Sequence, residues 1–373
     1  MIRTYQYRLY PTDEQQNILS DILELARWLY NHVLAYRRKR WGESRYRVTY
    51  HEQAALWRDW RNEQPDDNPL RLLNMSAGQQ VLRRLDKAYR EFLKGKRGKP
   101  RFKGRRFFNS LNYKPGDGAA IKDGRLYIQN IGLMAVKWHR GLPEGTLKNI
   151  IVTRKASGWY VAFQVEVAAI EPTVSPNPPV GIDVGLHHAL ALSDSTVIDS
   201  PQYLKHSLRR LRRLYRRVSR RKKGSAGRRQ AVVQLAKELE HIANQRRDWW
   251  HKVTCWLVNT YGFIALEDLQ LAFMLRNGNL ARAAHDVALG LFHNLLDYKA
   301  FQAGVQIVTV DPRNTSQRCS RCREMVPKAL HVRVHACPHC GFTVDRDVNA
   351  ALNILGIGWD ATVKRQRSPM GQA

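Results

Sequence analysis

Residues 179–185 read PVGIDVG, a short apolar run carrying one carboxylate, Asp183. So few residues, rich in Val and Ile, read as a buried strand, and Gly181 and Gly185 leave room for a polyanion to approach the backbone. Residues 263–268 (FIALED) repeat the pattern, an apolar strand ending on Glu267. Residues 345–355 (DRDVNAALNIL) place Asp347 at the start of a helix carrying Ala350, Leu352 and Ile354. Around these stretches the predicted order is strand, strand, strand, long helices, strand, helix, strand. The strands are Val180–Val184, His188–Ser193, Thr196–Asp199, Phe263–Leu266 and Val305–Val310. One long helix carries the narrow stripe Leu204, Leu208, Leu211, Tyr215 and Val218, and a second runs through Leu235 and Ile242 to Leu257. A third helix is expected around Val287–Phe301.

Two strand ends and a helix start could bring Asp183, Glu267 and Asp347 together. Cutting a phosphodiester needs an activated water and a stabilised leaving oxygen, which two hard cations about 3.5–4 Å apart can provide. Mg²⁺ or Mn²⁺ takes oxygen ligands, so the protein must supply carboxylates on rigid neighbouring elements. Any one of these acids alone reads as a helix cap or a solvated strand end; the three in this order read as a metal site. Asp268 and Asp345, their neighbours, are competitors for the same role.

Cys319-Ser320-Arg321-Cys322 and Cys337-Pro338-His339-Cys340 are two C-x-x-C pairs separated by fourteen residues. That spacing suits a closed, tetrahedral structural Zn²⁺ site on Cys319, Cys322, Cys337 and Cys340. Two disulfides, or a ligand drawn from His331, His335 or His339, are the other readings. Gly341 follows the second pair as a knuckle turn prefers, whereas Arg323 follows the first. The fifth cysteine, Cys255, reads as core filling in a helix.

The front half has a different pattern. Residues 2–10 alternate as a strand, Thr12 and Gln15 form a capping box, and Ile18, Ile22, Leu25, Leu29 and Val33 follow at helical spacing. Helix is expected to about Leu93, with a polar break around Pro65–Asn68. Strands return as RLYIQN, MAVKWHR, NIIVTRK and WYVAFQVEV between Arg125 and Val167. They can pair with the first strand, which makes the helical block an insertion in a β-barrel. Glu171–Pro179, with four prolines in nine residues, reads as the linker.

Lys and Arg total 62 against 32 acids, a net charge of +30 over 373 residues. Such a chain self-repels without a polyanion, and nucleic acid is the natural partner. Two runs concentrate the charge. Lys94–Arg106 has eight basic residues in thirteen, among them Lys99, Arg101, Lys103 and Arg105, and Lys205–Arg229 has thirteen Lys or Arg and no acid, among them Arg216, Arg217, Arg220, Arg221, Lys222 and Lys223. A solvated helix would mix its signs, so phosphate backbone is the expected counterion. Phe102, Phe107, Phe108, Tyr113 and Tyr215 lie among these runs and could stack on bases or pack internally. No apolar run approaches the ~20 residues of a membrane span, and no signal peptide is read at the front; a cytoplasmic place, nucleoid-associated in action, and a monomer are expected.

GIDVG, LEDL and DRDVNAALNI, with TSQRCSRC and CPHCG between the last two, resemble the TnpB family of transposon-encoded relatives of type V CRISPR effectors. YRLYPTDEQQ and ARWLYNHVLAYR resemble its opening strand and helix, GKPRFKGRR its basic Pro-Arg-Phe motif, and SRRKKGSAGRR its arginine-rich turn. The resemblance runs from Ile2 to about Gly356. It implies a multidomain α+β chain: a split wedge β-barrel (1–10 and 96–170), an inserted helical recognition domain (11–95), a linker (171–179) and an RNase H-like (RuvC) nuclease domain (180–314). A zinc ribbon (315–343), a final RuvC helix (344–357) and a disordered tail (358–373) complete it. It also implies an RNA-guided DNA endonuclease that binds guide RNA and double-stranded target DNA, with Asp183, Glu267 and Asp347 as Mg²⁺ or Mn²⁺ ligands and the adjacent Asp268 and Asp345 outside the site. Gln79 and Gln80 would face the target-adjacent motif, since Gln pairs with adenine. A nuclease-inactive RNA-guided repressor and an unguided RuvC-type resolvase or transposase are the alternatives; a basic chaperone leaves the acids unexplained.

Overall fold

The computed structural model describes residues 1–63, 65, 68–168, 176–268, 281–329 and 331–367, which divide into one unit up to Ala169 and another from Ile170. The first unit begins with β1 (Ile2–Tyr10), followed by α1 (Asp13–Ser44), α2 (Tyr50–Asn62) and α3 (Met75–Leu93). Thr12 caps α1 in both directions: its hydroxyl accepts from Gln15 N and the Gln15 side chain accepts from Thr12 N. Thr49 and Glu52 do the same for α2. Then come β2 (Ser110–Pro115), β3 (Gly118–Lys122), β4 (Arg125–Ile128), β5 (Gly132–Lys137), β6 (Thr146–Lys155) and β7 (Gly158–Glu166).

These seven strands close into a barrel in the order β1-β5-β4-β3-β2-β6-β7. β1 pairs antiparallel with β7 from Ile2–Glu166 to Leu9–Trp159, and its end reaches β5. The three helices are therefore inserted between the first and second barrel strands. Alternate residues fill the barrel, among them Leu9, Leu111, Leu126, Val152 and Phe163. β2 and β3 were not foreseen, because Pro115, Gly116 and Gly118 interrupt the alternation and the two strands touch over only two residue pairs. α2 and α3 meet where Gly78 lies against the fully buried Trp57, whose indole ring would overlap any added Cβ. Of the expected polar break, Pro65 and Asn68 are described and residues 66 and 67 are not; the Asn68 side chain accepts from Leu70 N at the start of a 3₁₀ turn.

The second unit opens on β8 (Pro179–Asp183), β9 (His188–Leu192) and β10 (Val197–Asp199), then α4 (Tyr203–Ser219) and α5 (Ala226–Thr260). β11 (Phe263–Glu267), α6 (Ala281–Val287), α7 (Leu289–Ala303) and β12 (Gln306–Val310) follow, and β13 (Val334–Ala336), β14 (Thr343–Asp345) and α8 (Arg346–Arg367) end it. The sheet order is β10-β9-β8-β11-β12, with β8, β9 and β10 antiparallel and β8, β11 and β12 parallel. α5 and α7 cover one face through Trp250, Leu257, Phe292 and Leu296. α8 covers the other, with Ile354 against Phe263, Ala265 and Val310.

Three expectations change here. Gly181 leaves no room for a polyanion: an added Cβ would overlap the Ala351 carbonyl oxygen and lie 2.6 Å from Leu355 N, so the space belongs to the α8 backbone. α8 does not give way to disorder at 358, since it runs to Arg367; Trp359 meets the Phe263 ring edge-on at 5.3 Å, an apolar anchor beyond the predicted end. Residues 368–373 lie outside the described residues, as do 171–175 of the expected linker. Cys255 is exposed, because the buried face of α5 passes through Trp250, Thr254, Leu257 and Val258.

Candidate active site

Parallel pairing of β8 with β11 ends at Ile182–Leu266, so Asp183 and Glu267 leave the sheet side by side from adjacent strands. Asp347 comes from the first turn of α8 on the sheet's other side. The Asp183 carboxyl feels the other two. Burial, then the charges of Glu267 and Asp347, push the Asp183 carboxyl up to about 8, against weaker opposition from Arg346 and the Val184 N–H. Burial raises Glu267 as well, partly offset by the Thr315 hydroxyl, and its side chain is nearly inaccessible. Asp347 lies 3.5 Å from Arg333. Like carboxylates held in a desolvated cluster favour either a shared proton or a cation, and carboxylate oxygens are the donors a hard divalent ion such as Mg²⁺ takes; among the described residues, only Cys319, Cys322, Cys337 and Cys340 already have their ligand atoms gathered closely enough to hold an ion.

The adjacent acids behave differently. Asp345 Oδ1 accepts from Asp347 N at 2.8 Å and from Val348 N at 3.2 Å, so Asp345 is the helix cap and leaves the Asp347 side chain free of that duty. Asp268 is exposed, its N–H tied to the Val310 carbonyl.

Three residues that sequence reasoning passed over hold this cluster in place. The Thr315 hydroxyl donates to Glu267 Oε1 at 2.5 Å. Asn353, buried on α8, donates to the Thr315 and Arg318 carbonyls at 2.8 and 2.7 Å. Asn349, one turn earlier, donates to the Arg318 carbonyl and accepts from Ser320 N. The signal was present: two asparagines four residues apart on the apolar side of a helix must be hydrogen-bonded if buried.

Thr315, Arg318 and Ser320 lead straight into the first cysteine knuckle. All four thiol sulfurs lie within 4.8 Å of one another, the one such group of three or more candidate ligands among the described residues. Cys319 and Cys340 are 3.7 Å apart and Cys322 and Cys337 3.5 Å. Disulfides need about 2.05 Å, whereas a tetrahedron with Zn–S near 2.3 Å has edges of roughly 3.8 Å. The two knuckles repeat one hydrogen-bond pattern: Arg323 N to Cys319 O and Gly341 N to Cys337 O, both 2.9 Å. Both Arg323 and Gly341 have φ near +69°, so the arginine takes the left-handed conformation that glycine adopts without cost.

The basic residues divide. On the last turns of α4 and just past its end, Arg213, Arg216, Arg217, Arg220 and Arg221 surround one concavity of about 350 Å³, and Lys222 and Lys223 are exposed in the turn beyond. Two arginines of the same run are structural: Arg210 pairs with the buried Glu238, and Arg228 clamps the Val218 and Arg221 carbonyls. In the first unit Lys99 and Arg101 are exposed, but Arg105 pairs with Glu24 at 3.0 Å and the Lys103 backbone is held by Asn31. Gln79 and Gln80 are half-buried on α3. Phe108 and Tyr113 are core residues, whereas Phe102, Phe107 and Tyr215 are exposed.

Residues 162–278 match the family described as "Probable transposase", residues 1–45 a "Helix-turn-helix domain", and residues 290–354 a "Cas12f1-like, TNB domain". A Streptomyces pristinaespiralis protein named as an RNA-guided DNA endonuclease is 33% identical over 96% of this chain and 90% of its own length. The chain belongs to the TnpB family. InsQ of Escherichia coli K12, named in the same way, is 28% identical over 96% of this TnpB-family chain and 92% of its own. The fold is that of a Cas12f1 solved in complex with guide RNA and target DNA, at a TM-score of 0.58 and 16% identity over 92% of this chain and 83% of that one. No described helix is long and apolar enough to cross a membrane.

Proposed function

We propose that the chain is an RNA-guided DNA endonuclease whose single cutting site is Asp183, Glu267 and Asp347. The observation that carries this reading is the electrostatic coupling of the Asp183 carboxyl to the other two on adjoining sheet and helix ends. Three antiparallel strands followed by two parallel ones, with helices on both faces, support an RNase H-like (RuvC) domain, and the barrel interrupted after its first strand supports a split wedge with an inserted recognition domain. Divalent ions bound there would activate water and stabilise the leaving oxygen. Asp183 and Glu267 supply donors from a rigid sheet, Thr315 fixes the rotamer of Glu267, and Asp345 keeps the first turn of α8 wound so that Asp347 stays aimed inward. The four cysteines hold Zn²⁺ as a structural clamp on that turn. The arginine-lined concavity of α4, Lys222, Lys223, Lys99 and Arg101 bind phosphate backbone, and Gln79 and Gln80 read bases beside the target. Guide pairing then carries sequence choice, and the protein supplies charge and one cutting site.

The test is sequencing of RNA that copurifies with the chain, followed by cleavage of DNA matching its variable end. Asp183→Ala should abolish cutting and leave binding intact. Cutting by that variant in Mg²⁺, or copurifying RNA without a discrete guide, would overturn the proposal.

A further inference from the structure

The first unit carries a second feature that the cutting site does not use. Arg45, at the end of α1, has φ of +53°, and its N–H bonds the Trp41 carbonyl, so the chain doubles back over the last turn of the helix. Tyr46, Arg47 and Val48 are thereby laid beside Trp41 and the end of α3, around a cavity of about 290 Å³. Its floor is fixed. Val48 is buried and its carbonyl accepts from Arg37, which also pairs with Asp86 at 3.3 Å and lies 4.3 Å over the Tyr89 ring. Its rim is open: Trp41 and Tyr46 are 39% and 43% exposed.

Rim and floor differ in chemistry. The aromatic faces of Trp41, Tyr46 and Tyr89 offer a flat apolar partner, and Arg47 and Lys99 are exposed cations at the edge. From Arg37 to Val48 there are six basic residues and one acid. Two guanidinium groups, those of Arg45 and Arg47, already lie over Trp41 at 5.7 and 5.6 Å. A surface meant only to attract phosphate has no use for exposed tryptophan and tyrosine beside a preformed cavity, and an acidic or apolar peptide would not need flat π-faces ringed by guanidinium. A ligand that is both planar and anionic satisfies both parts.

We infer that this cavity holds one unpaired nucleobase of a bound strand, stacked on Trp41 or Tyr46, with its phosphate against Arg47 and Lys99. The volume lies at the small end of ligand sites, which begin near 300 Å³, and suits one base and excludes a duplex. Aromatic–base stacking tolerates any base, so the pocket anchors a strand without reading it. The inference rests on the nucleic-acid reading above and locates a contact that reading does not contain.

The probe is a short single-stranded oligonucleotide carrying one 5-iodouracil, made as RNA and as DNA, photocrosslinked to the full chain and mapped by peptide mass spectrometry. Crosslinks to Trp41, Tyr46 or Tyr89 are expected, and the stronger of the RNA and DNA arms identifies the strand. Trp41→Ala should lower the yield by roughly 5- to 150-fold, the range expected of one lost stack, and Trp41→Phe should restore most of it. Arg47→Glu should lower the yield further as salt falls. Circular dichroism shows whether each variant is folded. Crosslinks that avoid residues 37–48 and 89–99, or a folded Trp41→Ala that matches the parent, would overturn the pocket. Crosslinking needs no cutting, so retained DNA cleavage beside an absent crosslink refutes this inference alone.

Discussion

Gly181→Ala is the smallest change that should separate the two halves of the proposed metal site. The added methyl would overlap the Ala351 carbonyl oxygen and stand 2.6 Å from Leu355 N and 2.8 Å from Leu355 Cβ, all on α8. Backbone atoms of a helix cannot turn aside as a side-chain end can. Restoring ordinary contact near 3.4 Å therefore moves α8 away from β8 by on the order of 1 Å. Overpacking of this kind costs about 1–3 kcal/mol. For a unit of this size that lowers the melting temperature by roughly 2–12 °C. The functional effect should be larger, because Asp347 rides on α8 and Asp183 on β8. A displacement of 1 Å in a catalytic group costs on the order of 100-fold in rate. The assay is single-turnover DNA cleavage at saturating Mg²⁺, beside calorimetry and an RNA-binding titration. Expected is a cleavage rate down by about two orders of magnitude, a moderate loss of stability, and unchanged RNA affinity. If Gly181→Ala melts and cuts like the parent, the close approach of α8 to β8 is not what sets the carboxylate spacing and the reasoning fails.

Thr315→Val removes the hydroxyl that donates to Glu267 while keeping the shape; the Mg²⁺ midpoint for cleavage should rise severalfold and Thr315→Ser should restore it, which a purely structural role would not show. Cys322→Ser should abolish stoichiometric zinc, read by atomic absorption, and loosen the segment holding Thr315, so cleavage should fall even when Mg²⁺ is saturating; full activity with no zinc would contradict the clamp. The acid–base prediction follows from Asp183. Its carboxyl is raised from 3.8 to about 8 in the folded chain, so the folded state binds more protons than the unfolded state between those values. The metal-free protein should therefore lose stability as pH rises from about 4 through 8, and Mg²⁺ should flatten the slope. Denaturation midpoints at several pH values with and without Mg²⁺ measure it, and a metal-independent slope would count against the carboxylates as the metal ligands.

Much of this molecule is written locally. Thr12 and Gln15 announce the start of α1, a run of alternating residues announces β7, and two C-x-x-C pairs announce a four-sulfur cluster, because capping, pleating and chelation depend on residues a few positions apart. The same locality put Asp183 and Glu267 at strand ends and Asp347 at a helix start. What the sequence left open was settled by register and packing. Only the pairing of Ile182 with Leu266 sets the two strand acids side by side. Only the hydrogen bonds of the first turn of α8 tell the cap, Asp345, from its neighbour Asp347. Gly181 gave the same signal whether the space beside it was meant for a ligand or for a helix, and the Ala351 carbonyl decides the matter. Arg210, Arg228 and Arg105 looked like the other basic residues until Glu238, two carbonyls and Glu24 appeared as their partners. A residue's type and spacing record what it is able to bind, but what it does bind depends on chain brought next to it from dozens of residues away.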